Sequence, residues 1–110
     1  MSPAIYEADW KLLRQLHPVA LERFTQRVLA EIERIASDVD KSCHERYLAI
    51  YEIIKLRDRE LAEAFDDLRR STAIVKLAYI LSHDLLTEEE LGRFSPDTRE
   101  AIGSSARMGR

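Results

Sequence analysis

The side chains able to do chemistry in this 110-residue chain are few and scattered. Its one cysteine, Cys43, precedes a histidine, His44. A thiol beside an imidazole suggests a nucleophile or part of a metal site. Neighbouring helical residues, however, point about 100° apart and do not face each other. His44 can reach Asp40 one turn away, which makes two ligands where a structural zinc takes four. The start of a helix favours a thiolate. The expected role of Cys43 is nonetheless that of a small apolar residue packed on the helix stripe. His83-Asp84 follows an apolar run and reads as a helix end, where an imidazole answers the dipole. His17 stands before Pro18 and is expected in a turn between two helices. Nothing in the spacing of the three histidines draws them to one metal, and no metal or other cofactor is expected.

Arg57 is the most informative of these residues. Helical spacing puts it on the apolar stripe of Ile50, Ile54, Leu61 and Leu68. A guanidinium there must follow its stem out to water or meet a carboxylate. Glu60, three residues on, lies off the stripe, and Glu31 on a facing helix is the natural partner. The alternative is a polar cleft of Arg57, Tyr47 and His44, which a small ligand or a substrate would occupy. Tyr47 and Tyr51, one turn apart, are expected to pack at the edge of the core. Arg46, Arg69 and Arg70, with Arg107 and Arg110 of the tail, are candidate phosphate contacts for a nucleic-acid- or ribosome-associated module. Asp66 and Asp67 dilute that basic cluster.

The recurring motifs of nucleotide, zinc and hydrolase chemistry are missing from the sequence: no Gly-rich phosphate loop, H-E-x-x-H, C-x-x-C or G-x-S-x-G. Phosphate cradles need bare backbone, and the first of only three glycines is Gly92. The net charge is -3, with acids and bases interspersed, so the whole-chain field gives nucleic acid or an anionic membrane no general reason to bind. The first residues lack the basic start and apolar stretch of a signal peptide. The longest apolar region, residues 72–81, is interrupted by Lys76 and falls short of the roughly 20 residues of a membrane span. With a single cysteine no intramolecular disulfide forms, which fits a reducing compartment. A soluble, cytoplasmic protein is the expectation.

These residues must be held by helices. No proline occurs between Pro18 and Pro96, and the intervening sequence is rich in Leu, Ala, Glu, Arg and Ile. A short helix is expected over residues 5–16, ended by His17-Pro18, because the residue before a proline is pushed from helical geometry. A second helix is expected over 18–36, with the stripe Leu21, Phe24, Val28, Ile32 and Ile35. Ser37-Asp38-Val39-Asp40 breaks the chain. Ser42 and Glu45 then form a capping box for a third helix over 43–70. Ser71-Thr72 is expected to cap a fourth, reaching residue 86, whose apolar residues cover most of its circumference. Thr87 with Glu90 starts a short fifth helix. Ser95-Pro96 starts a last turn or two, to Ile102.

The expectation is therefore an all-α protein: a compact antiparallel helical bundle of four main helices plus short C-terminal helices. It forms one domain over residues 1–102, with a disordered C-terminal tail at 103–110. The expected function is a non-enzymatic protein–protein interaction or regulatory module. It would be homodimeric, because the 72–86 helix carries more apolar surface than a monomer of this length easily covers. Its interface would be Ile74, Leu77, Ala78, Tyr79 and Leu81.

Overall fold

Helices account for all the regular structure of residues 5–108, the part of the chain that a computed structural model describes. They are α1 (Glu7–Ala36), α2 (Cys43–Phe65), α3 (Ala73–Ser82), α4 (Glu88–Gly92) and α5 (Pro96–Met108). No strand occurs among the described residues, and no helix among them is long and apolar enough to cross a membrane.

The expected break at Pro18 does not occur: α1 runs through it for 30 residues. Pro18 faces solvent, while Leu13, Leu16, Ala20 and Phe24 on either side form one buried stripe. Burying that stripe as a unit outweighs the one hydrogen bond that proline removes. His17 consequently lies within a helix and not in a turn. Its Nε2–H donates to the carbonyl of Phe65 at 3.1 Å, and its ring meets the Phe65 ring edge-on at 5.2 Å. It thereby satisfies one of the orphan carbonyls at the end of α2.

Six residues link α1 to α2, and the two helices return antiparallel. Arg46 Nη1 donates to Ala36 O at 2.5 Å near the linker, and His17 meets Phe65 at the other end. The capping box at the start of α2 forms as expected, with Glu45 N on Ser42 Oγ and Ser42 N on Glu45 Oε1, both at 3.0 Å. The helix stops at Phe65 and not at residue 70. Asp67 takes a left-handed φ of 58°, and the Thr72 hydroxyl closes the following turn by accepting from Arg69 N at 2.9 Å. Thr72 therefore shapes a loop and caps no helix with its side chain.

The apolar helix, α3, is shorter than expected, ending at Ser82. Asp84 supplies the left-handed residue (φ 55°) that glycine usually provides. Leu85 N reaches back to Ile80 O at 3.3 Å and Asp84 N to Leu81 O at 2.9 Å, the paired bonds of a Schellman motif. The second capping box is present at Thr87 and Glu90. The backbone of α5 continues past Gly103, where the sequence predicts an irregular tail.

The core is gathered at one end. It draws Ile5, Leu13, Leu16, Ala20 and Phe24 from the N-terminal side. Ala64 and Phe65 come from the end of α2, Leu77 and Ile80 from α3, and Leu85, Phe94 and Ile102 from the C-terminal segment beyond it. A buried carboxylate clasps the two ends of the chain there. Asp9 accepts from Ser95 N (3.0 Å), Ser95 Oγ (2.6 Å) and Thr98 Oγ1 (2.6 Å). It sits at the start of α5, where a negative charge suits the helix dipole.

Candidate functional site

Beyond this base, α1 and α2 continue as a bare two-helix arm. No residue from 25 to 63 is buried, and the molecule measures 51 × 26 × 21 Å. Along α2 the stripe that is buried at Ala64 and Phe65 continues outward through Ile54, Tyr51, Ile50 and Tyr47, spaced by three and four residues. Out there it meets no third helix. Tyr47 is 63% exposed and Tyr51 53%, and Ile54 also lies open. The core-edge packing expected of the two tyrosines is thus not made. Together with Ala36, Cys43, Arg46 and Ile50 they line an apolar groove of about 470 Å³. Cys43 is exposed and free, not packed as expected. Its sulfur accepts from Arg46 Nη2 at 3.4 Å.

A second concavity, of about 410 Å³, lies where the arm leaves the base. Phe24, Arg27, Val28, Glu31 and Arg34 of α1 line one side, Arg57 and Glu60 of α2 the other, and His83 at the end of α3 closes it. Arg57 meets Glu31 as expected, in a bidentate pair with Nε on Oε1 at 3.0 Å and Nη2 on Oε2 at 3.2 Å. It also binds Glu60, although that residue lies off the apolar stripe. These two carboxylates raise the Arg57 pKa above its ordinary value, and the Arg57 guanidinium in turn holds that of Glu31 below the usual carboxylate range. Arg27 donates to the carbonyls of His83 and Asp84, each at 2.6 Å.

The expected cleft of Arg57, Tyr47 and His44 is not brought together. Tyr47 lines the outer groove, Arg57 the inner cleft, and the exposed His44 neither. Ten residues of helix separate Tyr47 from Arg57, about 15 Å along the axis. The basic residues are also dispersed. Arg46 stands near the linker on backbone carbonyls, Arg69 pairs with Asp67 at 2.8 Å, and Arg70 pairs with Glu7. Of the tail arginines, the side chain of Arg107 and the whole of Arg110 lie outside the described residues. No group of three metal-ligating side chains occurs among the described residues.

Of the expected interface residues, Leu77 has no exposed surface and Ala78 is buried. Ile74 and Leu81 are half-buried against the core, and Tyr79 is the most open of the five at 38%. The chain's own core thus covers one side of α3, through Ala73, Leu77, Ala78 and Ile80, while Val75 and Tyr79 on the other side remain exposed. No known family model, curated protein or solved structure matches this chain.

Proposed function

We propose that the protein is a helical interaction module that self-associates through the outer arm. Two hairpins would pair about a two-fold axis to complete an antiparallel four-helix bundle, with the stripe of Tyr47, Ile50, Tyr51 and Ile54 in the seam. The observation that carries this reading is the arm itself, two long helices with no buried residue between 25 and 63 and one aligned apolar stripe left open. Helices draw most of their stability from a packed apolar face, and four-helix bundles supply such packing with hairpins of this kind.

The exposed area supports the reading. Tyr47 and Tyr51, each more than half open, leave on the order of 100 Å² apiece uncovered. With Ile50 and Ile54 the patch reaches a few hundred Å², the size at which an exposed apolar patch is often functional. A two-fold axis counts the patch and its polar margin twice, which approaches the roughly 1,200 Å² at which specific interfaces begin.

Sedimentation equilibrium on the wild type and on Ile54→Asp tests this. The wild type is expected to be dimeric, and the variant monomeric with an unchanged folded base. A wild type that stays monomeric at every concentration, or a variant that still dimerises, would sink the proposal.

A further inference from the structure

We propose that the inner cleft is a binding site for a small organic carboxylate with an apolar chain. The site is separate from the outer groove and depends on no dimer. Its electrostatics differ from those of the protein around it. The chain carries a net charge of -3, yet three arginines and two glutamates line the cleft, a local excess of one positive charge.

The distribution of that charge matters more than the count. Arg57 takes up both Glu31 and Glu60. Arg27 is held by two neutral carbonyls, those of His83 and Asp84. Carbonyls fix the direction of a guanidinium without cancelling its charge, so Arg27 is preorganised and still cationic. The guanidinium of Arg34, two turns further along the same face of α1, has no hydrogen-bond partner among the described residues. Glu31, one turn back along α1, is already held by Arg57.

The apolar half of the ligand is specified by Phe24 and Val28. His83 stands edge-on to Phe24 at 5.7 Å, and neither of its ring nitrogens has a partner among the described residues. A volume of about 410 Å³ falls within the span of small-molecule pockets, roughly 300 to 1,000 Å³. A carboxylate on Arg34 and Arg27, with its chain along Phe24 and Val28 and beside the His83 ring, uses the unpaired features of the cleft. A planar carboxylate also matches the guanidinium fork.

Titration of the full-length protein with hexanoate at low salt, monitored through amide and imidazole NMR shifts, tests the site. Hexanoate is expected to saturate at one site and to move resonances of Phe24, Arg34 and His83. 1-Hexanol (the same chain without the charge) is expected to bind at least roughly tenfold more weakly, as is hexanoate with Arg34→Gln, since a charge-assisted hydrogen bond is worth about that factor. Arg34 is exposed and its replacement leaves the core untouched. Val28→Thr gives a second variant, expected to weaken hexanoate while sparing acetate. Failure of hexanoate to saturate would overturn the proposal, as would hexanol binding equally well or full affinity in Arg34→Gln. Inorganic phosphate binding as tightly as hexanoate would overturn the apolar half. Running the titration on the Ile54→Asp chain separates this result from the question of dimerisation.

Discussion

The base and the arm are built from the same two helices, yet they hold together by different means. In the base, α1 and α2 meet a third layer made by α3 to α5, and side chains such as Leu13, Leu77 and Phe94 lose nearly all their contact with water. In the arm, past the contacts of Arg27 with the end of α3, the same pair has only itself. None of the apolar residues there is fully buried, and the Arg57–Glu31–Glu60 cluster bridges the helices in the place of a third element. Helical propensity and stripe are shared by both regions, so neither explains the difference. A helix pair becomes a core only where something lies across it.

Leu77→Glu should expose that contrast most strongly. It puts a charge in the centre of the base, among apolar side chains and out of reach of solvent. A loss of about 4 kcal/mol or more is expected, enough to abolish the cooperative transition seen by circular dichroism. Retention of a folded chain would mean that α3 is not core. The same substitution at the 47% exposed Ile54 is expected to leave the base's unfolding midpoint nearly unchanged.

Acid should act on the base next. Burial disfavours the ionised form of Asp9, but hydrogen bonds from the Ser95 hydroxyl, the Thr98 hydroxyl and the Ser95 amide outweigh it and hold its pKa below the usual carboxylate range. Glu90 is held down to about 2, first by the Arg23 guanidinium and then by the Thr87 amide. Both groups bind fewer protons folded than unfolded. Their contribution is complete above the unfolded carboxylate pKa, near 4, and drains away as pH falls through the folded values. Urea midpoints are expected to fall steeply from pH 4 toward pH 2. Asp9→Ala, which strands three donors, is expected to cost about 2 to 3 kcal/mol at neutral pH and to flatten that slope. An unaltered slope would remove Asp9 from the account.

The smallest effect is expected in the arm. Arg57→Met exchanges a partly exposed ion cluster for apolar packing and should shift stability by about 1 kcal/mol or less, in either direction. A loss several times larger would show that the cluster supports the arm as a core supports the base.

How much can be read from the sequence depends on how local each cause is. The capping boxes at Ser42–Glu45 and Thr87–Glu90 are legible because three residues contain the whole interaction. The Arg57–Glu31 pair is legible because a charge on an apolar stripe demands a partner. The continuity of α1 through Pro18 is not, since what overrides the proline is a core assembled from residues far along the chain. The end of α3 at Asp84 is hard to see because glycine is the usual mark of that turn. The clasp from Asp9 to Ser95 and Thr98 spans nearly the whole chain, and no short-range pattern announces it. The same limit hides the open stripe of the arm: Tyr47, Ile50, Tyr51 and Ile54 look like ordinary core spacing, and only the missing third layer sets them apart.

That clasp also decides how the protein would bear load. Tension applied across Ile5 and Ile102 passes from α1 to α5 through Asp9, Ser95 and Thr98, while the arm lies outside the direct line of force. Pulled from its ends, the chain should yield first by rupture of this small polar lock, with the arm still helical as the base comes apart.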